Sequence, residues 1–206
     1  MTENSENTEP KINPIRSGSK SLGFMFVFMG IVILALFYAV FESFTYQNLT
    51  SEEHIVDLKE NDDLEKRVYS ALRLGELADT TAIPQLLSSL RNEPDKYVRG
   101  RCAEALGKMG TRSTIPALLE IVETDSTSLV KVYAIWAIGN LQAETAIEPL
   151  SKYLGSEDSF VRLNVIQSLG EIGSPNGLEI LQNYKTKNAL EDSVLEVSIS
   201  KLTNKN

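Results

Sequence analysis

Few residues in this chain could do chemistry, and their number and spacing limit what that chemistry is. The 206 residues include one histidine, His54, and one cysteine, Cys102. A metal site built on imidazoles needs more than one histidine, so His-based clusters are excluded. A Ser–His or Cys–His nucleophile needs an imidazole held beside it, and His54 lies in a polar stretch that offers no such setting. Cys102 falls on the apolar face of a helix predicted around it. Without a second cysteine it forms no internal disulfide, so its role there is packing. Acidic residues are plentiful, yet no two are spaced as an acid/base pair, and no Gly-rich phosphate loop is present. Asn48-Leu49-Thr50 fits a glycosylation sequon, a three-residue motif of little weight. The expectation is a chain without catalytic residues, metal or cofactor.

Two aromatic residues are better placed for binding. Tyr133 and Trp136 are three apart, which on a helix puts them side by side. Tyrosine and tryptophan are enriched where protein partners dock.

The elements that must position them are set by a repeat. Gly75, Gly107, Gly139 and Gly170 recur every 32, 32 and 31 residues. One position before each stand Leu74, Leu106, Ile138 and Leu169; four before, Ala71, Ala103, Ile135 and Ile166. Eight before, every residue is basic: Arg67, Arg99, Lys131 and Arg162. Eight after come Ile83, Ile115, Ile147 and Leu178, and eleven after, always leucine: Leu86, Leu118, Leu150 and Leu181. A fixed period of this size marks a stacked array, not one closed core. Apolar residues spaced by three and four make both halves of each unit helical. Glycine at this phase is expected to close the first helix in the left-handed conformation. Pro116, with Pro84 and Pro149 in similar places, suits the opening turn of the second helix. A hairpin of about 30 residues cannot bury both faces alone, so it is stable only by stacking. Residues from Asp192 to Leu202 read as one more first helix that caps the stack. The fold expected is all-α: about four helical hairpins and a capping helix over residues 61–206.

The phrases DKYVRGRCAEALGKMGTRSTIPALLEIV and DSFVRLNVIQSLGEIGSPNGLEIL resemble HEAT-like repeats of the short type named after phycobilisome lyases. The likeness runs from about Asp63 to Tyr184. The Asp-x-x-Val-Arg signature of that family is present as Asp95/Val98/Arg99 and Asp158/Val161/Arg162. In the third repeat Thr127 and Lys131 replace the acid and the arginine, which weakens any ladder there. These pairs are expected to be structural, the acid capping the first helix and the base bridging to the next repeat. The resemblance also implies that second helices line the concave side and first helices the convex. One class of HEAT protein is an iron hydroxylase built on paired His-Glu dipeptides, which residues 61–206 lack.

The N-terminal part is of another kind. Leu22 to Phe41 is 20 residues without a charge, about 30 Å of helix, the thickness of a bilayer core. It is longer than the apolar core of a signal peptide, and bulky Phe37, Tyr38, Phe41 and Phe44 occupy the place of a cleavage site. Residues 21–44 are therefore expected to be a transmembrane helix. Lys11, Arg16 and Lys20 precede it, and only Lys59 follows within similar distance. That bias places the N-terminus in the cytoplasm and the repeats outside, periplasmic in a bacterium, with a single pass through the inner membrane. Residues 1–20 read as a disordered cytoplasmic tail and residues 45–60 as a polar tether.

The formal net charge is −8, and −7 remains once the bases and acids up to Glu42 are set aside. An acidic surface argues against nucleic acid and against lying on anionic lipid. The partner expected is protein, with an integral membrane complex the first choice. Two sets of repeat positions are candidates for its binding. Six before the glycine stand Tyr69, Arg101, Tyr133 and Asn164; three before, Leu72, Glu104, Trp136 and Gln167. Fourteen after come Ser89, Ile121, Tyr153 and Tyr184. The reading is a non-enzymatic scaffold, assembly factor or accessory subunit that binds through Tyr69, Ile121, Tyr133, Trp136, Tyr153 and Tyr184. The alternative carried by the resemblance is an enzyme like the bilin lyases, which attach or detach chromophores.

Overall fold

The structure is a computed structural model that describes residues 19–203. The polar tail expected at residues 1–20 lies outside the described residues save for its last two positions. The described residues form eleven α-helices and no strand. They fall into two compact units divided between Leu49 and Thr50. The first contains α1, Ser19–Gln47. Within it Phe24–Ser43, of mean hydropathy 2.7, is long and apolar enough to cross a membrane, and none of it is buried.

The second unit is the array. Its first helices are α3 (Leu64–Leu77), α5 (Lys96–Lys108), α7 (Ser128–Asn140) and α9 (Ser159–Ile172). Its second helices are α4 (Ile83–Asn92), α6 (Ile115–Thr124), α8 (Ile147–Ser151) and α10 (Pro175–Asn183). Prolines open α4, α6 and α10, where their missing N–H leaves no bond unmade. The capping helix is α11, Ala189–Thr203. The repeat columns are the core: Leu74, Leu106, Ile138 and Leu169 are fully buried, as are Leu86, Leu118, Leu150 and Leu181.

The stretch read as a tether departs from that expectation. Ser51–Glu60 is a helix, α2, packed on α3. Thr50 starts it with a reciprocal cap: its side chain accepts from the Glu53 amide, and the Glu53 carboxylate accepts from the Thr50 amide at 2.8 Å. Thr50, the third residue of the sequon, is thus spent on the cap. One period before α4, α2 is a second helix without a first. Its buried side chains are His54 and Leu58, so His54 stands in the column that is leucine in every later repeat. Ser70 lies 3.1 Å from its Nδ1.

The glycines do not do what the sequence suggests. Gly107 lies inside α5 and Gly139 inside α7, both buried. The left-handed residues come three positions later: Ala78 (φ 53°), Gly110 (φ 72°), Gln142 (φ 49°) and Gly173 (φ 80°). The repeat glycines serve close approach instead. A Cβ on Gly107 would lie 2.7 Å from Cα and Cβ of Ala137, and one on Gly139 would lie 2.9 Å from Cα of Ser168. Gly75 meets Ala105 and Gly170 meets Ser198 in the same way. First helices therefore touch backbone to backbone, through glycine and a small residue two before the next glycine. In α3, which has no such neighbour before it, that position is Arg73.

The basic column stitches the loops. Arg99 donates through Nη1 to the carbonyls of Glu93 and Pro94, each at 2.9 Å, and through Nε to Asp125 at 2.8 Å. Arg67 does the same to Asn61 and Asp62 and reaches Glu93 at 3.1 Å. Arg162 holds the Ser156 and Glu157 carbonyls and reaches Glu191 of α11 at 2.5 Å. Lys131 makes one contact of this kind, to the Glu123 carbonyl at 3.4 Å. Asp95 and Asp158 cap α5 and α9, whereas Thr127 makes no side-chain cap on α7. Burial alone would raise the Glu191 carboxyl. The Arg162 guanidinium, the Lys187 amide and the Tyr184 hydroxyl outweigh it and hold the carboxyl at about 2.

Three outcomes follow for folding. Gly107→Ala, favourable by helix propensity, is expected to destabilise the array by about 1–3 kcal/mol because α5 and α7 must separate. Gln142→Gly relieves a left-handed non-glycine residue and is expected to stabilise by about 1 kcal/mol. Urea unfolding of both variants checks the opposite signs. Glu191 binds a proton more readily when unfolded, so the stability it gives is present above its ordinary 4.5 and lost as pH falls toward about 2. Amide exchange of α11 should report that loss, and Glu191→Gln should remove its pH dependence.

Candidate functional site

The first-helix surface carries the most ordered cluster of aromatic and charged side chains. Arg101 donates to Glu104 at 2.6 Å, and Lys108 donates to the other oxygen of Glu104 at 2.7 Å. Burial would raise the Glu104 carboxyl, but the bonds from Lys108 and Arg101 win and lower it. Held in this way, the Arg101 guanidinium lies 5.5 Å from the centre of the Tyr133 ring, within range of a cation–π contact. One edge of that ring rests on α5. A Cβ on Gly100 would meet Tyr133 Cδ2 at 2.8 Å. Residues at the same phase in the other repeats are Val68, Val132 and Leu163, so the glycine is particular to the repeat that seats the ring.

Trp136 packs against the next turn of α5, with Cζ3 3.3 Å from a Cβ built on Gly107. Both aromatic residues are half-buried: one face covers the preceding repeat and the rest reaches solvent. Tyr69, one repeat closer to the N-terminus, is also half-buried, its ring 6.0 Å from that of His54. The column from Tyr69 through Arg101 to Tyr133 thus forms a strip along the first-helix layer.

The second-helix column is divided. Ser89 and Ile121 are buried, and only Tyr153 and Tyr184 reach open space. Tyr153 lines a groove of about 600 Å³ between α6 and α8, together with Leu119, Glu120 and Glu123. Tyr184 lines the next groove, of about 500 Å³, with Ile180, Glu148 and Glu179. Tyr184 also donates from its hydroxyl to Glu191 at 3.0 Å, and Lys131 lies 5.9 Å from the Tyr153 ring.

Two exposed aromatic residues escaped the sequence reading, Tyr97 and Phe160. They share the position ten before the glycine, where Glu65 and Leu129 stand in the other repeats, and that column was the available signal. Cys102 is buried, and burial raises its thiol out of the reactive range. Among the described residues no three histidine, cysteine or acidic side chains are grouped to hold a metal.

Stacked helical hairpins that present ordered side chains on an open surface define a repeat scaffold suited to protein binding. The chain belongs to the HEAT-repeat family, whose model of HEAT repeats matches residues 53–132 and 115–196. Among solved structures it is similar to a chain of the complex of CpcE and CpcF of phycocyanin lyase from Nostoc sp. PCC7120. The TM-score is 0.64 at 24% identity over 76% of this chain. The match spans 66% of that lyase chain, just under two thirds of its length. An engineered protein is similar with a TM-score of 0.52 at 22% identity, over 75% of this chain and 78% of its own. No curated protein matches the sequence.

Gly100→Ala tests whether α5 seats the Tyr133 ring. The atom in the way is the edge of a side chain, so the helix is expected to keep its fold and change stability by less than about 1 kcal/mol. The ring should swing off α5 and away from Arg101, seen as loss of ring-current shifts on the Arg101 side-chain protons.

Proposed function

We propose that this chain is a membrane-anchored, non-enzymatic scaffold, an assembly factor or accessory subunit that docks a protein partner beside the membrane. The observation that carries this reading is the platform of Arg101, Tyr133 and Trp136. Arg101 is fixed by Glu104, and both rings are fixed by glycines beneath them, so little side-chain entropy is left to lose on binding. Tryptophan, tyrosine and arginine are the residue types that dominate docking energies. Tyr69 extends the strip on the same layer. Tyr153 and Tyr184 offer secondary contacts in the grooves of the other layer, and Ile121, of the same column, is buried.

The anchor in this reading is α1, for which length, apolarity and exposure of Phe24–Ser43 speak. The excess of basic residues ahead of it favours an N-terminus in the cytoplasm and an array outside. The occupant best fitting an array held there is an integral membrane complex.

The likeness to a phycocyanin lyase chain favours a second reading, a bilin-lyase-like enzyme, on the ground of fold alone. Binding of a linear tetrapyrrole by the purified chain would support it.

The test is co-purification of the tagged full chain from membranes in mild detergent, beside Arg101→Ala and the double variant Tyr133→Ala/Trp136→Ala. Both are expected to retain helical content and to lose a stoichiometric membrane partner, at least about tenfold in recovered amount for the double variant. Unchanged recovery with the folded double variant would overturn the assignment of the platform.

A further inference from the structure

His54 is buried where its column has leucine in every other repeat. Leu86, Leu118, Leu150 and Leu181 fill that place with apolar volume and no proton to exchange. In α2 the same place is taken by an imidazole of zero exposure, with Nδ1 3.1 Å from the buried Ser70 hydroxyl of α3. The Tyr69 ring lies tilted beside it. Leu58 is the one other fully buried side chain of α2, so the imidazole sits in the middle of a short helix's hold on the array. Burial at zero exposure favours the neutral imidazole over the charged one, because the charged form loses more by leaving water.

We propose that His54 is a proton-operated release for α2: protonation of the buried imidazole frees this helix from α3 while the repeats beyond it stay folded. The groups acting on the ring come from both elements. Burial lowers its proton affinity most, and Arg73 of α3 lowers it further; Asp57 and Glu53 of α2 act in the other direction and lose. Asp79, before α4, takes a bond from Ser51 of α2.

The linkage has a definite sign. A base whose folded affinity is depressed binds protons better in the open form, so the hold of α2 is complete above the ordinary 6.5. It weakens as pH falls below 6.5 toward the lower folded value. The consequence is reach. As a helix the ten residues of α2 span about 15 Å, and extended they span about 33 Å. Release therefore lets a proton set how far residues 51–60 can span.

The experiment uses the full chain in detergent or nanodiscs. Because His54 is the only histidine, selective carbon-13 labelling of histidine gives one imidazole signal to titrate. Hydrogen exchange, corrected for intrinsic rates, is followed in parallel between about pH 7.5 and about pH 5. Expected are a midpoint below 6.5 and an opening of α2 that rises up to about 30-fold across the range. The amides of α5, α7 and α9 should remain protected. His54→Leu restores the column and should abolish the pH dependence while slowing α2 exchange. An imidazole titrating at its ordinary value with α2 still protected would overturn the proposal. So would an acid opening of α2 that persists in His54→Leu.

Discussion

Glycine beneath a small residue, repeated down the stack, is the contact on which the remainder of this fold depends. Where Gly107 faces Ala137 there is no room for a Cβ, so α5 and α7 meet at backbone distance. That contact packs the first helices into one layer, whereas the second helices touch one another far less. The second layer is filled by the large residues, Leu86, Leu118, Leu150 and Leu181, all fully buried. The open grooves at Tyr153 and Tyr184 and the ordered strip from Tyr69 to Trp136 are two results of one spacing rule. A residue larger than alanine or serine on either side of the contact would alter both surfaces at once.

Polar stitching is secondary to that packing but fixes its register. Each arginine of the basic column satisfies loop carbonyls of its own repeat and reaches an acid of the next. Lysine cannot make this set of bonds, because one ammonium lacks the planar fork that serves two directions. At Lys131 the ladder is accordingly reduced to a single carbonyl contact, and the adjoining Thr127 caps nothing with its side chain. The same repeat has the shortest second helix, α8, which runs on as a 3-10 turn through Gly155. It is also the repeat that carries Tyr133 and Trp136. The two rings of the platform thus sit on the most loosely stitched unit and rest on α5 of the repeat before.

The sequence made the repeat legible because burial repeats its demands: leucine at eleven after the glycine is a volume requirement, and each copy meets it. The glycines were legible as a column but not in their role. Sequence alone does not distinguish a glycine that turns a helix from one that admits a neighbour, and only the backbone angles and the facing Ala137 separate the two. The binding surface was legible in part. Tyr133 and Trp136 announce a pair by spacing, whereas the seat under Tyr133 depends on Gly100, a departure from an apolar column that has meaning only once α5 and α7 are adjacent. Residues 51–60 are polar in composition, and composition does not register a helix that buries two side chains.

The two ends of the stack show how a repeat protein closes itself with unlike chemistry. At the C-terminal end Glu191 is buried against Arg162, its charge stabilised by guanidinium, amide and hydroxyl donors, so only strong acid discharges it. At the N-terminal end the corresponding burial is of an imidazole against a serine hydroxyl, a contact whose balance changes as pH falls below 6.5. A leucine at position 54 would have closed that end more firmly with no polar group to satisfy. The array accepts a weaker closure at the end that follows α1 in the chain and a stronger one at the end remote from it. Mild acid therefore opens the stack from one side only, and the middle repeats, where the platform sits, remain as they are.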